Sequence, residues 1–424
     1  MASAQTEKPR TTLLHNARLW DGLADTALEN ASLLIEGGVV REVGVDLTGA
    51  GDARRIDCEG LFVMPGLIDA HYHANTPSYD FYGTDRMHPA LLASHASRLL
   101  TGALDRGYTT VRDAGGGDIG LAQSLEAGLI DGPRFFYPGK ALTQTGGHGD
   151  MRRRGEPDLC GCGAYSGVIC EAVDGPQEMR KAVRQRFRQG ATHIKIFLSG
   201  GVSTDLAPLE MPHFTDAEIA VAVEEAARRG SYVMAHCHTD AGARRCVALG
   251  VRTIEHGSLI EPETAVQIAK AGVFVVPTLS AGALIAENAT QLGLPLSAAE
   301  KVKAVNAQTL RTVQTLEEAG VKMGLGCDLH GDAFLQTQGR ELYFRGQVQR
   351  PVDVLRSATS INAEIVQRAG TLGQLTPGAA ADLIMIEGDP LTDLSVFVES
   401  ARTVRLAMIA GEVRRDRRGE PRLF

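Results

Sequence analysis

Short apolar runs that are typical of β-strands occupy both ends of the chain. These runs cover 12–20, 31–36, 39–43, 381–386 and 404–410. Gly37-Gly38 separates two of them, and a glycine pair between apolar runs is typical of a β-hairpin. Gly411-Glu412 follows the last run in the same way. We therefore predict one small β-domain built from residues 1–60 and 375–424.

Strand-like runs alternate with helix-like stretches in the middle of the chain. The strand candidates are 61–68, 109–112, 134–141, 193–198, 232–236, 253–256, 273–277 and 322–327. The helix candidates carry apolar residues at helical spacing and include 216–229, 239–249 and 299–319. Such strand–helix alternation predicts an α/β fold with a (β/α)₈ TIM-like barrel over residues 61–374. It also allows an open doubly wound sheet, although no Gly-x-Gly-x-x-Gly sequence supports a dinucleotide site.

Composition and charge are those of an ordinary globular protein. The 424 residues are 44% hydrophobic and 22% charged. The net charge of −8 disfavours nucleic acid as a partner, because such proteins present a basic face. Arg152, Arg153 and Arg154 form the densest basic cluster, for which a solvated loop is the simpler interpretation and an anion site the alternative.

Cysteine usage predicts a reducing compartment. The chain has seven cysteines and no Cys-x-x-Cys pair. Cys160 and Cys162 with Cys170 allow a zinc knot or a disulfide, but reduced loop thiols are the simpler expectation. No apolar run is long enough to span a bilayer, and the amino end lacks the apolar core of a signal peptide. We expect a cytoplasmic protein without a membrane partner.

Polar residues suited to metal binding or proton transfer stand where the strand-like runs end. These are His71, His73, Lys195, His236, His256 and Asp328. In a barrel, the carboxyl ends of the strands carry the active site. His71 and His73 are two residues apart, so a strand directs both side chains to one face. Lys195 stands in a short apolar run, where a bare ammonium is costly unless it is paired. The pattern indicates a site for two metals.

One motif is specific enough to indicate a family. The sequence MPGLIDAHYH at residues 64–73 resembles the first-strand motif of the amidohydrolase superfamily. The resemblance extends over essentially the whole chain and includes the GAAADL sequence at 378–383. It implies a metal-dependent hydrolase with a (β/α)₈ barrel and a flanking β-sandwich.

A closer resemblance is to the group that contains Xaa-Pro dipeptidases, carboxypeptidase-like enzymes and ochratoxin-hydrolysing amidohydrolases. The segments that carry it are 146–149, 194–196, 236–238 and 254–257. The group implies hydrolysis of the amide bond of N-acyl or peptidyl amino acids with a free carboxylate. Ochratoxin A-type N-acyl-L-phenylalanine amides are included. An Xaa-Pro dipeptidase is the alternative, and a deaminase or a non-catalytic relative is less favoured. The resemblance also implies a homo-oligomer, with an octamer as one form.

The resemblance implies two divalent metal ions, with Zn²⁺ expected. His71, His73 and Asp328 would hold the first ion, and His236 and His256 the second. Two cations in close proximity need a bridging anion. A carbamate formed from Lys195 and CO₂ would supply it, because burial lowers the pKa of an amine and exposes its nucleophilic form.

The same resemblance implies the roles of the residues around the metals. Asp328 would take a proton from the attacking water and pass it to the leaving amine. His148 would polarise the scissile carbonyl, although a surface loop histidine is the alternative. His238 would face the substrate, or exchange roles with His236. Backbone amides near Ser199 and Gly200 would approach a substrate carboxylate, or only form a turn.

Residues that hold the histidines in place are also expected near the site. Asp113 and Glu255 are the candidates for orienting histidine ligands, although ion pairing or capping would leave the same trace in the sequence.

Overall fold

The computed structural model describes residues 11–47, 51–156, 167–202, 207–289, 291–292 and 296–422. Cys160 and Cys162 lie outside these residues, whereas Cys170 is a buried free thiol. No helix of the described residues combines the length and the apolar character needed to cross a bilayer.

The strands are numbered in chain order. They are β1 Thr11–Leu19, β2 Leu28–Glu36, β3 Val39–Val45, β4 Arg54–Asp57, β5 Phe62–Pro65, β6 Leu67–Tyr72, β7 Tyr108–Asp113, β8 Arg134–Phe136, β9 Ala141–Thr143, β10 Cys170–Ala172, β11 Ile194–Phe197, β12 Val233–Thr239, β13 Thr253–Leu259, β14 Phe274–Val276, β15 Leu383–Ile386, β16 Val404–Ile409 and β17 Glu412–Asp416.

The helices are numbered in the same way. They are α1 Phe81–Asp85, α2 Pro89–Asp105, α3 Ile119–Glu126, α4 Gly175–Arg188, α5 Asp216–Ala227, α6 Asp240–Leu249, α7 Pro262–Ala271, α8 Leu279–Asn288, α9 Leu296–Glu318, α10 Asp332–Leu335, α11 Arg340–Arg345, α12 Pro351–Ser357, α13 Ser360–Ile365 and α14 Ser400–Thr403, with a 3₁₀ turn at Leu394–Phe397. The boundaries of α5 and α6 follow from local signals. Thr215 and Glu218 form a capping box at the start of α5, and Gly250 ends α6 with a φ of 78°.

Strands from the two ends of the chain share one mixed sheet. Its order is β17-β16-β15-β5-β1-β2-β3, and β4 pairs with β1. The antiparallel β5–β15 pair joins the amino-terminal strands to the carboxyl-terminal ones. β2 and β3 form the hairpin expected at Gly37-Gly38, where both residues have positive φ. The face of this sheet buries Leu14, Leu33 and Leu406.

The middle of the chain forms an α/β structure with parallel sheets, as the alternation predicts. β6-β7-β8 make one sheet, and β10-β9-β11-β12-β13-β14 make another. Every pair in these two sheets is parallel. Apolar residues of the second sheet, such as Ile196 and Ile254, pack against Ile219 of α5 and Ala265 of α7. Because both faces of these strands are buried, their sequences are continuous apolar runs rather than alternating apolar and polar residues.

The predicted strand at 61–68 is in fact two strands in two different sheets. β5 ends at Pro65, and β6 begins at Leu67. A Cβ on Gly66 would lie 2.1 Å from Thr109 Oγ1, so only glycine fits at the crossing. Proline lacks the N–H that a continuous strand would need at this position.

Two other predicted strands differ from the structure. The run 134–141 is broken into β8 and β9 by Gly139, which has a φ of 72°. The run 322–327 forms only an isolated bridge between Met323 and Val275. Gly326 allows this segment to approach closely, because a Cβ there would lie 2.5 Å from His71 Cβ.

Backbone hydrogen bonds connect the two parallel sheets through this segment. The Ala70 N–H donates to the Leu325 carbonyl at 2.8 Å, and the Gly324 N–H donates to the Val275 carbonyl at 2.9 Å. At the other side, the Thr192 N–H donates to the Tyr137 carbonyl at 2.8 Å. The carboxyl ends of β6, β11, β12 and β13 therefore open toward the same region.

Candidate metal centre

One cavity collects the candidate residues from the ends of separate strands. It has a volume of about 1120 Å³, including its open mouth. Its polar lining includes all six residues proposed as ligands: His71, His73, Lys195, His236, His256 and Asp328. Convergence from β6, β11, β12, β13 and the 322–327 segment explains how residues far apart in sequence meet.

Two histidines from β6 and the following residue meet the Asp328 carboxylate. His71 Nε2 lies 3.3 Å from Asp328 Oδ1, and His73 Nε2 lies 3.0 Å from the same oxygen. His71, His256 and Asp328 have ligand-type atoms within 4.8 Å of one another. Of the three residues expected at the first metal site, this group contains His71 and Asp328, whereas His73 forms another such group with Asp328 and His330.

A second group consists of three histidines from β12 and β13. His236, His238 and His256 have ring nitrogens within 4.8 Å of one another. His236 Nε2 lies 3.3 Å from the Gly200 carbonyl oxygen, and His238 Nδ1 lies 3.1 Å from Ser258 Oγ. Both members of the His-x-His pair therefore lie in the group, as their spacing in a strand requires.

The backbone is strained at two of these residues. His256 has a φ of 73° and Asp328 a φ of 52°, in the left-handed region that most residues avoid. Such conformations cost roughly 1–3 kcal/mol and persist where the surrounding structure imposes them. Both side chains line the cavity.

Lys195 is a buried amine whose Nζ lies over the Phe197 ring, 5.7 Å from the ring centre. Its exposed fraction is 3%, and no described residue forms a hydrogen bond or ion pair with its Nζ. Burial lowers the pKa of Lys195 to about 8, although the negative charges of Glu255 and Asp328 act to raise it. Its charge acts on His71 of one group and on His236 of the other. A neutral, nucleophilic amine is thus accessible near neutral pH.

The donor set fits divalent cations. Burial is the main cause that holds the pKa values of His236 and His256 well below the usual range, so both rings are neutral. Neutral imidazole nitrogens and a carboxylate oxygen are the ligands that Zn²⁺ and similar ions take. The Nδ1 atoms of His73, His148 and His330 are buried and have no hydrogen-bond partner among the described residues. Unpaired donors and acceptors around a cavity indicate that ligands or ions complete the site.

A buried ion pair fixes the ring of His71. His71 Nδ1 donates to Glu255 Oε2 at 2.7 Å, and Arg112 donates to Glu255 Oε1 at 2.9 Å. Burial alone would raise the pKa of Glu255, but Arg112 and His71 lower it to about 2. Glu255 therefore holds His71 with Nε2 toward the cavity, as a carboxylate that orients a ligating histidine does in metal sites. Thr278 contacts His256 Nδ1 in the same way, at 2.7 Å.

Replacing Glu255 with glutamine is expected to weaken metal binding by roughly 10- to 100-fold, because a neutral amide orients and polarises His71 less well. Competition with a chelator measures this affinity. Glu224→Gln is the matched control, because Glu224 is exposed and pairs with Arg228 on the surface. Equal metal affinity in Glu255→Gln and the wild type would contradict the assigned contact.

The structure gives Asp113 a different environment from Glu255. Its carboxylate accepts hydrogen bonds from the backbone N–H groups of Ala74, Gly115 and Gly117. The carboxylate therefore shapes the loop after β7 and forms no hydrogen bond with a histidine side chain among the described residues, whereas the Asp113 carbonyl oxygen lies 3.0 Å from His193 Nε2.

His148 lies at the second histidine group. Its ring stacks on His236 with a centroid distance of 4.6 Å and meets Phe197 edge-on. A Cβ on Gly201 would lie 2.2 Å from His148 Cε1, so glycine is required there. Burial is the main cause that lowers the pKa of His148 to about 3, so the ring is neutral.

Ser199 and Gly200 lie beside the histidines but are already paired. Ser199 Oγ donates to the Gly200 carbonyl and accepts from the His238 N–H. The Gly200 N–H donates to the Met211 carbonyl at 3.0 Å. His238, by contrast, lines the cavity. The substrate-contact role of Ser199 and Gly200 stays a prediction.

Three residues of the site were not assigned roles from the sequence. Arg112 is fully buried and supports Glu255, Thr278 contacts His256, and His330 lies 3.7 Å from Asp328. The role of Arg112 could have been predicted from the sequence, because it stands in the apolar run 109–112 and a buried arginine needs a buried partner. Nothing in the sequence around Thr278 predicts its contact with His256.

The basic cluster is partly paired within its own loop. Arg152 donates to both carboxylate oxygens of Asp150, and Arg153 lies over the ring of Tyr82.

Comparisons with known proteins agree with this arrangement. A model of the amidohydrolase family matches residues 62–414. Ochratoxinase from Aspergillus niger is 31% identical over 418 residues, which cover 93% of this chain and 85% of that protein.

Solved structures give the same picture. A prolidase complexed with N-methylphosphonate-L-proline has a TM-score of 0.91 at 38% identity, and the match covers 95% of this chain and 99% of that one. An Xaa-Pro dipeptidase with methionine bound in its active site has a TM-score of 0.84 at 29% identity, with the same coverage.

Proposed function

The chain belongs to the amidohydrolase family, and on this premise we propose that it cleaves the amide bond of N-acyl or peptidyl amino acids with a free carboxylate. Its ochratoxinase and prolidase relatives make it a hydrolase of carbon–nitrogen bonds. Members of the family generally use divalent metals. The proposed activity is carboxypeptidase-like and includes ochratoxin A-type N-acyl-L-phenylalanine amides.

One observation carries the proposal. Three overlapping groups of ligand-type atoms line one cavity, because two of them share His256 and two share Asp328, and the buried Lys195 lines the same cavity. His71, His73 and Asp328 would hold one ion, while His236 and His256 would hold the other. His238 takes the place of His236 in the alternative assignment. Zn²⁺ is the ion that this donor set favours.

Lys195 would bridge the two ions as a carbamate. The neutral amine adds to the carbon of CO₂, an N–C bond forms, and an N–H proton leaves to water. Two carbamate oxygens then replace one buried ammonium. This exchange removes the cost of burying an unpaired positive charge.

When bound, the two cations polarise the substrate carbonyl and lower the pKa of a bound water to near ~7. Side chains of this protein carry out the remaining steps. The Asp328 carboxylate takes the proton of the attacking water and passes it to the leaving nitrogen. The neutral His148 ring donates a hydrogen bond to the carbonyl oxygen as negative charge develops on it.

The architecture that we propose around this site has two parts. The part of residues 61–374 that follows β5 forms a closed (β/α)₈ barrel, supported by the hydrogen bonds that join the parallel sheets at both sides, whereas β5 itself lies in the mixed sheet. Residues 1–60 and 375–424 form a β-sandwich domain, supported by the mixed sheet that unites both ends of the chain. We further propose a cytoplasmic homo-oligomer, with an octamer as one form.

A proline-specific dipeptidase is the second candidate, and one observation favours it. The prolidase structure shares 38% identity with this chain, whereas ochratoxinase shares 31%. A deaminase of the same fold is less well supported, because one metal would leave the buried Lys195 without a role.

Turnover of two substrates separates these functions. We expect the zinc-loaded enzyme to hydrolyse an N-acyl-L-phenylalanine at least tenfold faster, in kcat/KM, than an Xaa-Pro dipeptide, a difference of roughly 1.4 kcal/mol. The reverse ratio would make the second candidate correct. Activity on neither, together with ammonia release from an amine-bearing ring, would favour the deaminase. A chelator should abolish turnover, and added Zn²⁺ should restore it.

A further inference from the structure

Two neighbouring helices, α8 and α9, form one side of the cavity. The side chains that line it from these helices include Ala281 and Ile285 of α8 and Val302, Val305 and Asn306 of α9. We call these five residues the helical wall. The three residues of α9 are spaced as one face of a helix requires. All members except Asn306 are apolar and buried, so the wall is an apolar surface with one amide.

Asn306 carries a polar group that is available to a substrate. Its side-chain amide forms no hydrogen bond with any described residue. Thr309, one turn further along α9, also lines the cavity, but its hydroxyl donates to the Val305 carbonyl at 2.9 Å. The Asn306 amide packs against α8 at Gly282, where a Cβ would lie 2.0 Å from Asn306 Oδ1, so glycine is required there. Because an amide both donates and accepts, Asn306 suits a neutral polar group.

Hydrogen bonds fix the helical wall beside the histidines of β12 and β13. Thr278, which directly precedes α8, has its Oγ1 2.7 Å from His256 Nδ1. Thr312 of α9 donates from Oγ1 to the Ser258 carbonyl at 2.8 Å, and Ser258 Oγ lies 3.1 Å from His238 Nδ1. A substrate group bound against the wall therefore lies beside the ligands of the second proposed metal.

Different elements form a second apolar surface of the cavity. Its residues pack together and are Phe81, Ala141, Met151, Ile169 and Phe197. An amide substrate has an acyl half and an amino-acid half, one on each side of the scissile bond, so each half has an apolar surface to contact. Phe197 leads into Ser199 and Gly200, which are predicted to approach the carboxylate of the amino-acid half. The helical wall is then left for the acyl half.

Charge determines which acyl groups the wall accepts. Asp328 is the only carboxylate among the described residues that line the cavity, and it is assigned to a metal. The amino end of a dipeptide carries an ammonium, which is costly to bury without an acidic partner. A neutral acyl group avoids this cost, and burial of its apolar part against Ile285 and Val302 is favourable.

We propose that the helical wall binds the acyl half of the substrate and selects bulky, uncharged acyl groups over the free amino end of a dipeptide. Asn306 is the specificity-determining residue, because its amide pairs with a neutral polar atom of the acyl group and carries no charge to offset an ammonium. This inference rests on the proposed function and adds the class of acyl group that its substrates carry. The substrates are amino acids whose nitrogen is blocked by a neutral acyl group.

Two compounds that differ only in one amino group measure this selection. N-(3-phenylpropanoyl)-L-phenylalanine is L-phenylalanyl-L-phenylalanine without its ammonium. At pH 7, where the ammonium is the main form, we expect the wild type to favour the first compound by about tenfold or more in kcat/KM. Asn306→Asp adds a carboxylate at almost constant volume. It should lower this ratio by roughly 10- to 100-fold, because the dipeptide gains a hydrogen bond between charged groups.

Asn30→Asp is the matched control for the change of charge. Asn30 is an exposed residue of β2 and does not line the cavity, so its substitution should leave the ratio of the two compounds unchanged. Both variants should retain the wild-type metal content. An unchanged ratio in Asn306→Asp, or an equal fall in both variants, would overturn the role of Asn306.

Ile285→Ala tests which half of the substrate contacts the helical wall. The shorter side chain should reduce the preference for the 3-phenylpropanoyl compound over N-acetyl-L-phenylalanine by roughly 3- to 10-fold, because a large acyl group loses apolar contact. The preference for N-acetyl-L-phenylalanine over N-acetyl-L-alanine should not change. Val266→Ala, at an exposed position of α7, is the control and should change neither preference. A change in the second preference alone would assign the wall to the amino-acid half and overturn the proposal.

Calorimetric binding separates failure of this inference from failure of the proposed function. If the metal-loaded wild type cleaves none of these compounds, the proposed function is wrong, and the affinities of the 3-phenylpropanoyl compound and of the dipeptide still decide the role of the wall. Tighter binding of the first compound by the wild type, with a smaller difference in Asn306→Asp, supports the inference. Equal affinity of the wild type for both compounds would overturn it.

Discussion

Lys195→Ala is expected to abolish amide hydrolysis together with metal binding. The substitution removes the only lysine among the described residues that line the cavity, and without a bridging carbamate the two proposed cations would repel each other. The polarisation lost with the metals is worth several kcal/mol, which corresponds to roughly a thousandfold or larger loss of kcat/KM. Elemental analysis of the purified variant and its turnover of N-acyl-L-phenylalanine measure the two effects.

The control for this variant is Lys322→Ala. Lys322 is an exposed lysine that pairs with Glu364 at 2.8 Å, so its loss should leave metal content and turnover unchanged. Addition of a short carboxylic acid gives a further check, because its two oxygens can replace those of the carbamate. Partial return of metal and activity in Lys195→Ala alone would support the bridge. Full metal content and normal turnover in Lys195→Ala would refute it.

Asp328→Asn is expected to abolish turnover while metal binding is only weakened. Asparagine keeps the oxygen that faces His71 and His73, but it cannot accept a proton from water. Loss of a positioned general base typically lowers the rate by 10²–10⁴-fold, and we expect it to lower kcat rather than to raise KM. Steady-state kinetics of the metal-loaded variant measure it.

Asp353→Asn provides the comparison for this substitution. Asp353 pairs with Arg350 and Arg356 on α12, away from the cavity, so kcat should not change. If Asp328→Asn keeps the kcat of the wild type, Asp328 is not the base. A rise in KM without a fall in kcat would assign Asp328 to substrate binding alone.

The sequence predicted much of the site because strand ends gather in space. His71, Lys195, His236 and His256 each lie in or at the end of an apolar run, and the structure brings all four to one cavity. Their roles as ligands stay predictions. The spacing of His236 and His238 placed both in the same group, as alternation along a strand requires.

Other features depended on tertiary contacts that no local pattern encodes. The break at Pro65-Gly66 moves the chain from one sheet to another, yet the apolar run 61–68 reads as one strand. The positive φ of His256 is imposed by the packing around it rather than by a preference of histidine. Thr76 and His330 stand about 250 residues apart in sequence, and only the folded structure reveals that both line the cavity.

The central claim is that a carbamate on Lys195 joins two metal ions in the cavity at the carboxyl ends of the parallel strands. A crystal structure of the active, metal-loaded enzyme with anomalous scattering tests it most directly. We predict two anomalous peaks in the cavity, with continuous density for a carboxyl group on Lys195 Nζ between them. A single peak beside a bare amine at Lys195, in crystals of enzyme that hydrolyses the amide, would contradict the account.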